Sequence, residues 1–171
     1  HRATAKHIAT KLCRRFIADA PPAAAVDAVA NAFARTGGDI GDTLRALFGT
    51  EAFRATRGVK FKKPLHFIVA ALRATGAKAE HATALTEYLV RMGHAPFHYP
   101  TPDGYPDKVE YWSGNILPRW SFSVSLASSN STTTVKVDTA PYLTGTADAA
   151  VDRIINEFYG GEVSAALRTN L

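Results

Sequence analysis

A chain of 171 residues that is 46% hydrophobic and 20% charged carries enough apolar material for a folded core, which excludes a disordered or fibrous chain. No apolar run approaches the ~20 residues that cross a bilayer as a helix, so a membrane-spanning helix is excluded as well. The net charge of +5 is uneven: residues 1–75 hold 13 Lys/Arg against 5 Asp/Glu, and residues 76–171 hold 7 against 10.

Residues 3–18 place Ile8, Leu12 and Phe16 on one face and predict a helix. Cys13, the only cysteine, has no partner for an internal disulfide. It lies on or beside the apolar face and reads as a small buried hydrophobe rather than a nucleophile. Pro21 and Pro22 open a second helix, in which Val26, Val29, Ala30 and Phe33 recur at i, i+3, i+4, i+7 until Gly37 and Gly38 end it. Asp39 is a good N-cap for a third helix carrying Leu44, Leu47 and Phe48 inward, and Thr50 caps a short turn holding Phe53.

A basic connector follows, with Arg54, Arg57, Lys60, Lys62 and Lys63. Its single aromatic, Phe61, makes no stacking platform, which argues against a nucleic-acid partner and for a solvated link. Pro64 starts a helix through Leu65, Ile68, Val69 and Leu72 that ends near Gly76. Residues 79–92 predict another, lined by Ala82, Leu85, Leu89 and Met92 and stopped at Gly93.

Residues 93–107 break the pattern with four prolines, two glycines, three aromatics and two histidines. A helix resumes near Ser113 or Asn115. Pro118 favours Asn115 as its cap, because proline is tolerated only in the first turn. That helix runs to about Ala127. Residues 128–146 are a Ser/Thr-rich connection in which Val135 and Val137 suggest a brief extended segment that would need a partner strand. Val151, Ile154, Ile155 and Phe158 mark a further helix ended by Gly160 and Gly161, and a short terminal helix closes the chain. The fold expected is all-α: an irregular multi-helix bundle with a Pro/aromatic-rich loop at about 93–112 and the Ser/Thr-rich connection at about 128–146, forming a single domain over 1–171.

Five segments occur in the order of a bacterial family: HRATAKHIATKLCRRF, LRALFGTEAF, KKPLHFIVAALRATG, PTPDGYPD and WSGNILPRWSF. In that combination the chain resembles the C-terminal part of the family catalogued as domain of unknown function 1800. It departs from the family pattern at Arg2, where proline is usual, and at His66, where an acidic residue is common. The resemblance implies a helical fold, an exported protein placed in the periplasm or secreted, and a longer protein of which this is the C-terminal portion. The opening on His1, with Met92 the only methionine, fits that expectation. The resemblance implies no catalytic residue and no cofactor.

Two sites are candidates. His94 and His98 with Asp103 and Asp107 combine imidazole and carboxylate, the donor chemistry of zinc or a similar ion, though Pro96 between the histidines denies them a shared helical face. Tyr105, Tyr111 and Trp112 with Arg119 would make a ligand-binding surface, since aromatic rings on a stiff loop offer contact area at little entropic cost. Against these stands the packing alternative: the rings bury against helices and Arg119 pins the loop backbone. Gly-x-Ser-x-Gly, phosphate-loop and dinucleotide fingerprints are absent from the sequence. The function expected is therefore a non-catalytic helical module working by binding or scaffolding, without a cofactor. The competing reading is part of a hydrolase-like enzyme whose site is completed by an N-terminal portion. The partner expected is that portion, or another protein, docking on the basic first half, with residues 1–18 the first choice for an apolar or basic docking face.

Overall fold

The computed structural model describes residues 1–80, 82–128 and 135–171. It is all-α as expected, with one small two-stranded sheet among the described residues. By residue contacts the described chain groups into two compact units. One comprises His1–Lys62 with Tyr105–Gly114, the other Lys63–Gly104 with Asn115–Leu171.

The first unit holds α1 (Arg2–Phe16), α2 (Ala23–Arg35), α3 (Ile40–Phe48), α4 (Glu51–Ala55) and α7 (Val109–Trp112). Its core is built from Ala9, Cys13, Ile17, Val29 and Leu47. The buried row of α1 is Ala5, Ala9 and Cys13, continued by Ile17 just past its end. Ile8 and Leu12 are half-buried beside it, and Phe16 is 37% exposed. Small side chains spaced by four let the α2 backbone come close, while the larger ones flank the contact. Caps follow the sequence: Asp39 accepts from the Asp42 N–H at 2.7 Å and Thr50 from the Phe53 N–H at 3.2 Å. Thr43, the buried polar residue of α3, donates its hydroxyl to the Asp39 carbonyl at 2.5 Å. Phe48 is turned outward, its ring against Phe16 and Phe53.

The second unit holds α5 (Pro64–Ala74), β1 (Lys78–Ala79), α6 (Thr83–Arg91) and α8 (Ile116–Ala127), then β2 (Val135–Lys136), a 3-10 turn (Ala140–Tyr142), α9 (Ala147–Tyr159) and α10 (Ala165–Thr169). Ile68, Leu89, Met92 and Phe122 form its core, with Phe67 and Tyr88 edge-on to the Phe122 ring.

Three boundaries differ from the sequence reading. The helix expected over 79–92 begins at Thr83, because residues 78–79 pair antiparallel with β2, Lys78 opposite Lys136 and Ala79 opposite Val135. The partner that Val135 needed is thus supplied from 56 residues upstream. Within the loop expected over 93–112, residues 109–112 form the single turn of α7. Within the 128–146 connection, residues 140–142 form the 3-10 turn; Ser129 to Thr134 lie outside the described residues.

Candidate binding surfaces

The Pro/aromatic-rich loop is shared out between the units. Its first part, to Gly104, belongs with the second. Gly93 (φ 72°) ends α6, and the Asn115 side chain donates to the Met92 carbonyl at 2.7 Å. His94 turns back to α5, where its Nδ1 accepts the Leu65 N–H at 3.2 Å. Burial first, then the charges of Lys63 and His66, hold this imidazole below the usual histidine range. It therefore caps an α5 amide that lacks an intrahelical acceptor. His98 is exposed. Asp103 accepts from the Thr101 hydroxyl, and Gly104 (φ 74°) donates its N–H to the Thr101 carbonyl, closing a tight turn for which Asp-Gly is well suited.

From Tyr105 onward the loop belongs with the first unit. Lys60 is 22% exposed in its side chain. Its ammonium binds the Asp19 carboxylate, donates to the Asp107 carbonyl at 3.2 Å, and lies 3.8 Å from the Asp107 carboxylate. Asp19 also accepts the Val109 N–H at 2.7 Å. Burial pushes the Asp19 carboxyl up, but the hydrogen bonds from Lys60 and Val109 and the charges of Lys60 and Lys108 outweigh it and leave it below the usual range. Lys60 of the basic connector is therefore the anchor of this segment. Trp112 is 1% exposed and donates its indole N–H to the Pro106 carbonyl at 2.9 Å. Tyr105 and Tyr111 pack on it at ring-centre distances of 5.7 and 4.6 Å.

The expected metal donors are thus distributed: His94, His98 and Asp103 sit in one unit and Asp107 in the other. Among the described residues no group of three His, Cys, Asp or Glu side chains is arranged to hold a metal ion. Of the expected ligand residues, Tyr105, Tyr111 and Trp112 come together, with Tyr111 the one that faces solvent. Arg119 belongs to the second unit, its guanidinium 5.1 Å from the centre of the Phe67 ring, and burial lowers its pKa. Cys13 is fully buried, and burial pushes its thiol up, away from the reactive thiolate.

Two surfaces escaped the sequence reading. On α8, Ile116, Leu117, Trp120 and Val124 are 68%, 74%, 68% and 50% exposed, a continuous outward apolar stripe at positions 0, 1, 4 and 8. The inward face of the same helix carries Phe122 and Leu126. Eight of the twelve residues of α8 are apolar and fall on two sides, separated by Arg119 and Ser123 on one flank and Ser121 and Ser125 on the other. The second surface is a groove of about 520 Å³ in the second unit, lined from α5, α8, α9 and residues 137–143.

The sequence pattern of the family described as "Protein of unknown function (DUF1800)" matches residues 1–171. The chain belongs to the DUF1800 family. No curated protein and no solved structure matches it. The DUF1800 assignment agrees with the five ordered motifs, and its description names no activity.

Proposed function

We propose that this chain is a non-catalytic helical binding module whose principal contact is the outward face of α8, and that its partner is a protein surface. The observation that carries the reading is the exposure of Leu117 and Trp120, at 74% and 68%, on a helix whose opposite face is already committed to the core. Large contiguous exposed apolar surface marks an interaction site in soluble proteins, and tryptophan is enriched among the residues that dominate binding energy. The aromatic cluster around Trp112 is spent on internal packing, which supports scaffolding over ligand capture at that loop. Exposed α1 side chains of Lys6, His7, Lys11 and Arg14 supply a basic secondary surface, in keeping with a partner that also reads charge. The proposed setting is an exported bacterial protein in the periplasm or secreted, which rests on the family resemblance.

The test places a photo-crosslinking residue at position 117 in the producing cell. One discrete adduct, lost on Trp120→Ser, is the expected result. Crosslinks no more frequent than those from an exposed control position such as 73 would remove the docking reading.

A further inference from the structure

Phe97 combines an unfavourable backbone with a side chain that buries nothing. Among the described residues it is the one non-glycine with a left-handed backbone, at φ 62°, and its side chain is fully exposed. The His98 N–H donates to the Ala95 carbonyl at 3.2 Å, closing a four-residue turn with Pro96 and Phe97 at its centre. Proline fixes the first central φ near about −65°, and Phe97 supplies a positive second one, the backbone signs of a type II turn. Glycine or asparagine suits that second position, and a β-carbon bearing a ring is disfavoured there. A folding role would offset that cost by burying the ring, and none of it is buried. The turn instead holds a phenyl ring out in water on a stiff support, with Pro100 and Pro102 close behind.

The place of this turn says what it meets. The Asn115 amide donates to the Met92 carbonyl at 2.7 Å, so the start of α8 is tied to the start of the loop. Ile116 and Leu117, exposed members of the α8 stripe, follow Asn115 directly, and Phe97 comes five residues after Met92, at most about 18 Å from it. A standard protein interface covers ~800 Å² on each partner, a patch about 30 Å across, which is wide enough to hold both. A lipid bilayer suits the turn less well. It is fluid and takes a ring in any direction, so a fixed backbone gains nothing there, and residues 93–104 contain no Lys or Arg to meet anionic headgroups. Preorganisation raises affinity against a receptor of fixed shape.

We propose that Phe97 is a specificity-determining anchor of the α8 contact, its ring entering a single ring-sized apolar pocket on the protein that covers α8. The proposal rests on the docking reading of α8 and adds the feature that selects the partner. Buried aromatic anchors seated in pockets carry much of the binding energy at protein interfaces.

Photo-crosslinking in the producing cell tests it, with a benzophenone side chain placed in turn at positions 117 and 97 and the adducts identified by mass. The same protein is expected at both positions. Phe97→Asn accepts left-handed backbone and removes the ring. It is expected to cut the adduct at 117 at least fivefold while the thermal midpoint stays level or rises. Phe97→Tyr, which keeps the ring, is expected to retain most of the adduct. An adduct at 97 that contains lipid, a second copy of this chain or a protein other than the one at 117 would overturn the proposal, as would no adduct there. A parental yield at 117 in Phe97→Asn would overturn it and leave the α8 reading standing. A lowered midpoint in Phe97→Asn would make Phe97 a structural residue and overturn it too. No adduct at 117 in the parent would remove the α8 reading itself, and this proposal with it.

Discussion

His94 shows how one side chain changes meaning between sequence and structure. Read beside His98 it suggests a metal donor; in the fold its Nδ1 is occupied by the Leu65 N–H at 3.2 Å. Only the neutral imidazole can accept that bond. Its folded pKa lies below the ordinary value of 6.5, because burial and then the charges of Lys63 and His66 oppose protonation. The sign follows from linkage: a depressed folded pKa means that the unfolded chain binds the proton more tightly. The stabilisation is complete above about 6.5 and is lost as pH falls through the folded value. Urea midpoints of the parent should therefore drop between pH 7.5 and pH 5. In His94→Asn, whose amide oxygen accepts without titrating, the drop should be smaller. Equal drops in both would mean that the His94 cap does not titrate with folding.

At the scale of elements, what was legible is what is local. Asp39 and Thr50 cap where their side chains reach an amide three residues on, and Gly160 at φ 68° ends α9 with its N–H on the Ile155 carbonyl. The pairing of residues 78–79 with 135–136 was not legible, since two-residue strands have no period to detect and a partner 56 positions away. Nor was the outward face of α8, because a helix with apolar residues on two sides does not say which side the rest of the chain covers. The same limit explains α1. Periodicity favoured Ile8, Leu12 and Phe16, while packing against α2 selected the smaller row Ala5, Ala9 and Cys13 one position away. Ala9 is 0% exposed, so Ala9→Leu should cost about 1–3 kcal/mol by overpacking the α1–α2 contact. Phe16→Ala, at a residue 37% exposed, should cost less than the ~3–5 kcal/mol of a core phenylalanine. Chemical denaturation of both decides it. A tolerated Ala9→Leu beside a full core penalty at Phe16 would restore the stripe read from periodicity.

Across the whole molecule the charge divides with the two units. The first carries 12 Lys/Arg against 7 Asp/Glu and the second 8 against 8, so the entire net charge of +5 belongs to the first. The half-by-half count from the sequence blurs this, because the acidic Asp107 and Glu110 return to the first unit through the loop while Lys63 and Arg73 leave it. Within the first unit, α1 contains Arg2, Lys6, Lys11, Arg14 and Arg15 and no acidic residue. Lys6 lies 3.7 Å from Asp27, with both side chains well exposed, a contact worth little in water. Lys11, Arg14 and Arg15 lie on the side of α1 away from the buried row Ala5, Ala9 and Cys13, a basic strip over the last turns of the helix. At ~0.1 M salt the screening length is about 10 Å, so neighbouring charges on this strip act together while scattered ones do not. Charge reversal should consequently depend on place as well as number. Lys11→Glu with Arg14→Glu changes net charge by the same amount as Arg73→Glu with Lys78→Glu in the second unit. The α1 pair should nevertheless advance elution from a cation exchanger by clearly more, and the difference should shrink as salt rises. Equal advances would show that the surface is read only through its net charge, and the α1 strip would lose its standing as a docking surface for an acidic partner.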